Sequence, residues 1–241
     1  MDYSTATFEM QFDVITIFPE VFPGPLGVGI IGKALQSGLI RLQSHNLRDF
    51  ARDKHRSVDD AAYGGGPGMV MKPEPVFECL DALDPANAVR ILLSPQGVRF
   101  SQALASDLVK KHQRFILICG RYEGVDERIR THACDLDVSI GDYVLAGGEL
   151  AAMVLIETMA RLVPGVVGDQ ESVETDSLAD NLLKYPQYTR PNVYRGHEVP
   201  SILLSGNHEE IRTWRRCEAI RRTKEQRPDL FTCKDPPDND T

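Results

Sequence analysis

The chain has 241 residues, 42% of them hydrophobic and 26% charged, and a formal net charge of −8; it can bury a core without disulfide staples, as one large domain or a main domain with a small companion. No apolar run approaches the roughly 18 residues of a membrane-spanning helix, and the opening MDYSTATFEM lacks the basic and apolar regions of a signal peptide. The five cysteines are scattered without a Cys-x-x-Cys spacing, which argues against a secreted disulfide framework or a thiolate zinc site and for a reduced, cytoplasmic setting.

In chain order, the run Phe12 to Phe18 reads as a strand. Gly27-Val28-Gly29-Ile30-Ile31-Gly32 matches G-x-G-x-x-G, and with Lys33 it comes close to a P-loop. Ala34, however, stands where a Mg²⁺-ligating hydroxyl belongs, and Pro19, Pro23 and Pro25 separate the motif from the strand. A helix with packing glycines is the preferred reading. Arg41 to Arg56 is basic, as is Arg212 to Arg227, so the negative net charge conceals patches suited to a phosphate backbone. A solvated helix face accounts for either patch equally well. Tyr63-Gly64-Gly65-Gly66-Pro67-Gly68-Met69 is dense enough in glycine to suggest close backbone approach to a ligand.

Further along, Val89 to Ser94, Arg114 to Cys119 and Asp135 to Ile140 read as strands, the near-continuous apolar runs expected where both sheet faces are covered. Ser101 to Gln113 has a Ser cap and helical spacing, and Glu149 to Val163 is an apolar helix stopped by Pro164 and Gly165. Strand and helix in alternation predict an α/β fold with a mainly parallel sheet. Each later strand is followed by a loop: Ser94-Pro95-Gln96-Gly97, then Gly120-Arg121-Tyr122-Glu123-Gly124, then Gly141-Asp142-Tyr143-Val144-Leu145-Ala146-Gly147-Gly148. Ligands of open α/β sheets bind beyond the carboxyl ends of the strands, so three such loops could wrap a cofactor. The six histidines show no metal-ligand spacing, and no Gly-x-Ser-x-Gly elbow is present.

Residues 165–190 are acidic and irregular, as a linker or functional segment would be. A small helical domain follows, with Asn207 as cap, Glu210 completing a capping box, and Ile211, Trp214 and Ile220 near one face. The Pro/Asp-rich tail is expected to be disordered. The domain plan is therefore an N-terminal extension (1–11), a main domain (12–164), a linker or lid (165–190), a C-terminal helical domain (191–232) and an acidic tail (233–241).

The segments YGGGPGM, LSPQG, CGRYEGVDERI, SIGDYVLAGGELAAM, YPQYTRP and SGNHEEIRTWRR occur together and in order, from about Phe12 to Leu230. In them the chain resembles the bacterial tRNA (guanine-N1)-methyltransferase family of the SPOUT superfamily. The resemblance implies a SPOUT-type α/β domain with a deep trefoil knot, S-adenosylmethionine as methyl donor, tRNA as substrate and a homodimer with its active site at the subunit interface. No membrane and no further protein partner is implied. The target so implied is the guanine 3′ of the anticodon, position 37, preceded by guanine. Implied cofactor contacts are Ser94, Pro95, Gly120, Tyr122, Ile140, Gly141, Asp142, Tyr143, Val144, Leu145, Gly147 and Gly148. Asp176 and Arg161 form the implied catalytic pair. Glu123 would lie near the base or a Mg²⁺ ion, Asp59 and Gly68 would read the neighbouring guanine, and Arg215 of the basic helix would bind tRNA.

The residue types suit that chemistry. Guanine N1 carries a proton at neutral pH, so Asp176 would act as general base. Charge then moves onto O6, where the permanently charged Arg161 would stabilise it. From the residues alone, Asp176 is one carboxylate among several in its loop, and Arg161 is equally a cation favoured at a helix C-terminus. Three rivals remain at this stage: a SPOUT enzyme methylating a ribose or another base, a non-catalytic RNA-binding module built on the helix around Trp214, and a nucleotide-dependent enzyme built on Gly27 to Lys33.

Overall fold

A computed structural model describes residues 10–168, 176–178 and 181–231. The rest of the N-terminal extension, the acidic tail with Cys233, and most of the acidic stretch Asp169 to Asp180 lie outside the described residues. The chain divides between Gln170 and Glu171 into two compact units.

The first unit is built on five strands in the order β2-β1-β6-β5-β7: β1 (Met10–Thr16), β2 (Ile40–Asn46), β5 (Val89–Arg99), β6 (Arg114–Cys119) and β7 (Leu136–Ser139). Every pairing in this sheet is parallel. A two-stranded hairpin, β3 (Asp59–Asp60) with β4 (Val70–Met71), closes the glycine-rich loop between them. The helices are α1 (Pro23–Leu26), α2 (Gly29–Ser37), α3 (Pro73–Leu83), α4 (Gln102–Lys111), α5 (Glu127–Ala133) and α6 (Glu149–Ala160).

The apolar runs follow from coverage on both faces. In β6, Phe115, Leu117 and Cys119 join one core cluster with residues of α2, α4 and α6. Ile116 and Ile118 join the other, with residues of α3 and α5. Alternate residues point to opposite faces, so a strand covered twice has no polar position to spare. The four expected strands are all present, β1 opening two residues earlier than expected. The Ser101 hydroxyl accepts from the Leu104 N–H at 3.2 Å, capping α4 as its sequence indicates. Gly32 is a packing glycine, since a Cβ there would overlap the Gly27 carbonyl.

Several elements were passed over in the sequence, among them β2, α3 and α5. β2 carries Arg41, Gln43 and Asn46 and reads as a basic polar stretch, because it is an edge strand with solvent on one side. α3 begins with Pro73-Glu74-Pro75, which resembles a break but is tolerated in a first helical turn. The expected loop Ser94 to Gly97 is also corrected. It is a bulge inside β5, with Leu93 and Val98 both opposite Val138 of β7. A Cβ on Gly97 would overlap the backbone of Asp137 and Val138, so only glycine lets the two strands close.

In the middle of β1, Asp13 is 1% exposed and held by three donors. His45 lies 2.9 Å away, Arg114 Nε 3.2 Å and Gln11 Nε2 2.8 Å. Arg114 also donates to the carbonyls of Leu83 at 2.7 Å and Asp84 at 2.8 Å, tying the end of α3 to the sheet. Burial raises the Asp13 pKa, but the hydrogen bonds and charges of His45 and Arg114 together outweigh it and leave the value below the ordinary one. A carboxyl with a lowered folded-state pKa contributes stability above its unfolded value near 3.9, lost as pH falls through the folded value. Asp13→Asn should therefore cost about 3 kcal/mol near neutrality by leaving Arg114 partly unpaired. The deficit should shrink below about pH 4, as denaturant melts across pH would show. A deficit independent of pH would contradict the ionic account.

The second unit contains a small hairpin, β8 (Val193–Tyr194) with β9 (His197–Glu198), and the 19-residue helix α7 (His208–Gln226). The Asn207 side chain accepts from the Glu210 N–H at 3.4 Å, in the expected cap position. Ile211 is buried, Trp214 and Ile220 are half-buried, and Arg212, Arg215 and Arg216 are exposed. Arg221 is instead paired with Glu218 and Glu225.

Candidate cofactor site

The ends of β5, β6 and β7 lead into one cavity of about 270 Å³. Of the expected cofactor residues, Ser94, Pro95, Gly120, Tyr122, Ile140, Gly141, Tyr143, Val144, Leu145, Gly147 and Gly148 line it, while Asp142 does not. Glu123 joins them, and so do Gln96, Arg121 and Arg130, which the sequence did not single out. Each missed arginine is paired with an acid on another element: Arg121 with Glu149 of α6, and Arg130 with Asp137 of β7.

The middle loop is held by a tight turn. Gly124 N–H donates to the Arg121 carbonyl at 3.1 Å, and Tyr122 takes φ +62°, a left-handed conformation that a side-chain-bearing residue adopts at a cost. Its neighbours are sewn to the end of the GGGPG segment. Glu123 N–H donates to the Met69 carbonyl at 3.0 Å, Met71 N–H to the Gly124 carbonyl at 3.0 Å and Asp126 N–H to the Met71 carbonyl at 2.9 Å. Glu123 covers Gly68 so closely that a Cβ there would overlap its side chain. Asp59 pairs with Met71 in the β3–β4 hairpin, so Asp59, Gly68 and Glu123 are linked through one short stretch of chain.

The third loop is braced at both ends. Ser139 Oγ accepts from the Gly141 N–H at 3.2 Å and donates to the Gly141 carbonyl at 3.0 Å. Tyr143 O–H donates to the Ile140 carbonyl at 3.2 Å. At the far end the Gly148 N–H donates to the Gly120 carbonyl at 2.9 Å, and Arg121 and Gly147 form an antiparallel bridge. The β5 bulge that takes the place of the first loop is steadied by Arg130, which pairs with Asp137 of β7 and reaches Ser94 Oγ at 3.4 Å. Glycines and polar residues such as Ser94, Gln96 and Tyr122 thus line the cavity alongside apolar Leu93, Ile140, Leu145 and Ala151. That mixture suits a small ligand with both polar and apolar parts. Among the described residues no cluster of three or more His, Cys, Asp or Glu side chains could hold a metal ion.

The remaining expected residues lie elsewhere. Arg161 caps the C-terminal end of α6, where its N–H donates to the Glu157 carbonyl at 3.2 Å. Asp176 belongs to the second unit and is ion-paired with Lys184 at 3.3 Å. Its neighbourhood is tied to α7: Leu183 N–H donates to Thr223 Oγ1 at 2.8 Å, and Lys184 N–H to Ser177 Oγ at 3.0 Å. Arg215 lies over the Tyr185 ring at 4.9 Å, a cation–π contact within the second unit.

An all-parallel α/β sheet with three loops closing on a cavity at its carboxyl end defines a small-ligand-binding α/β protein. The chain belongs to the tRNA (guanine-1)-methyltransferase family: residues 10–233 match the family described as tRNA (Guanine-1)-methyltransferase TrmD. It is 54% identical over 225 residues to the tRNA (guanine-N(1)-)-methyltransferase of Dehalococcoides mccartyi, covering 92% of this chain and 90% of the relative. The protein of that name from Dictyoglomus turgidum is 54% identical over 222 residues, with the same shares. That from Geobacter metallireducens is 52% identical over 224 residues, covering 92% and 91%. No helix of the described residues is long and apolar enough to cross a membrane.

Proposed function

We propose that this protein transfers the methyl group of S-adenosylmethionine to N1 of the guanine at position 37 of tRNA, 3′ of the anticodon and preceded by guanine. The observation that carries this is the convergence of the three loops on one cavity in a chain more than half identical to enzymes bearing that name. The loops would grip the adenosine and methionine ends of the donor through main-chain groups, and the donor supplies a methyl already activated on sulfonium. Asp176 would accept the guanine N1 proton as N1 takes the methyl, which the bound donor would supply while keeping the carbon–sulfur electrons on its sulfur. Arg161 stabilises the charge that gathers on O6. Glu123, a carboxylate at the cavity, is the type of group that shares Mg²⁺ with substrate oxygens. Asp59 and Gly68 would meet the preceding guanine, and Arg212, Arg215 and Arg216 the tRNA backbone.

The proposal includes a cytoplasmic homodimer with the active site at the subunit interface. Its support is α6, where Leu150 and Val154, one turn apart on a largely buried helix, are 59% and 42% exposed. A second copy of this chain is the occupant that would cover them. It also includes the SPOUT trefoil knot, supported by the parallel strand order and by the tight passage of Gly97 against β7.

The test is methyl transfer from labelled S-adenosylmethionine to two tRNA transcripts that differ only in guanine or adenine at position 37. Label in the first alone, recovered as N1-methylguanosine, is the expected result. Equal labelling of both would point to a ribose or another base. Binding without transfer would point to an RNA-binding module.

A further inference from the structure

At the wall of the cavity, where Arg121 lines it, lies a charged pair to which the proposed mechanism assigns no step. Glu149, in the first turn of α6, is only 4% exposed. Its Oε1 accepts from the Thr16 hydroxyl at 2.9 Å, and both its oxygens accept from Arg121 Nε, at 3.2 and 3.1 Å. Arg121 adds a second contact through its terminal nitrogen at 3.0 Å, and its guanidinium lies 4.3 Å over the Phe18 ring. Phe18 N–H in turn donates to Thr16 Oγ1 at 3.0 Å, so the end of β1, the loop after β6 and the start of α6 close into one set.

We propose that Arg121 and Glu149 are positioning residues for the methyl donor, holding the second and third cofactor loops in register. The inference rests on the function proposed above. The pair lies where the two loops meet: Arg121 directly precedes Tyr122, Glu149 directly follows Gly148, and the Arg121–Gly147 bridge and the Gly148–Gly120 hydrogen bond run beside it. Gly147 is kept small by it, since a Cβ there would overlap Arg121 Nε and the Glu149 carboxylate. Stability alone does not call for such a pair. Ion pairs taken out of water are matched or exceeded in stability by apolar residues of similar size. What an apolar pair lacks is direction: a guanidinium fork on a carboxylate accepts one geometry, and so sets the spacing of the two loops.

The experiment compares wild type, Glu149→Gln, Arg121→Met and the double variant by circular dichroism, thermal melting, calorimetric titration with S-adenosylmethionine and steady-state kinetics. Each single variant is expected to raise both the Kd and the KM for S-adenosylmethionine by about tenfold or more, with kcat at saturation within about threefold and the KM for tRNA unchanged. The double variant should regain the melting temperature lost in the single ones, having no buried unpaired charge, but not the donor affinity. Wild-type donor affinity in any folded variant would overturn the proposal. So would a lower kcat with unchanged KM, the mark of a smaller folded fraction, or a double variant that fails to fold, since the pair would then serve the core. A wild-type protein that neither binds the donor nor methylates tRNA would remove the parent reading itself.

Discussion

Asp176→Ala is expected to lower kcat for methyl transfer by about 10²- to 10⁴-fold, the range for loss of a general base. Its Kd for S-adenosylmethionine should stay within about twofold, because the missing group acts only in the transition state. The proton on guanine N1 blocks attack at neutral pH, and without a carboxylate it must leave to solvent. The residual rate of the variant should therefore climb steadily with pH over the range where wild type has levelled off. Asp176→Asn should behave in the same way, since the amide preserves size but cannot accept the proton. In the protein without tRNA, Lys184 Nζ lies 3.3 Å from the Asp176 carboxylate. A variant with wild-type kcat, or one with weakened donor binding and normal kcat, would refute the assignment of Asp176 as base.

Gly97→Ala is expected to destabilise the first unit by about 3 kcal/mol or more. The new Cβ would meet the backbone of Asp137 and Val138, not the end of a flexible side chain, so relief requires β5 and β7 to separate. That separation would displace Ser94 and Pro95 on one side of the cavity and Ile140 on the other, and donor affinity should fall with stability. Gly24→Ala is the control, as nothing lies within 4 Å of its added Cβ. Urea melts of the two variants decide the matter. Equal midpoints would show that the bulge at Leu93 to Val98 yields more easily than its close packing implies.

How far the site could be read in the sequence depends on the range over which each feature is encoded. Phe12 to Phe18, Val89 to Ser94 and Arg114 to Cys119 announce themselves as strands because each contributes to both core clusters, a demand met residue by residue, whereas Asp135 to Ile140, at the sheet edge, packs into one of them. The Ser101 and Asn207 caps are equally local, and so are the glycine-rich loops that line the cavity. The apolar helix from Glu149 was legible too, although its regular part ends at Ala160, with a turn through Val163. Asp176 and Arg161, by contrast, had no local mark and were picked out by resemblance to the family.

The amino-acid sequence by itself thus determined the α/β class, the main strands and helices, the loops that meet at the cavity and membership of the family. Only the tertiary structure decided the strand order β2-β1-β6-β5-β7, the edge strand at Ile40–Asn46 and the bulge that turns Ser94 to Gly97 into part of β5. It alone decided the pairs as well: Asp13 with Arg114, 101 residues apart, Thr16 with Glu149, 133 apart, and Arg121 with Glu149, 28 apart. Periodicity and capping are written into neighbouring residues, because each strand or helix must satisfy its own backbone and bury its own face. Register, bulges and buried charge pairs arise where distant segments meet, and the partner of a lone Asp, Glu or Arg is not marked by its sequence neighbours.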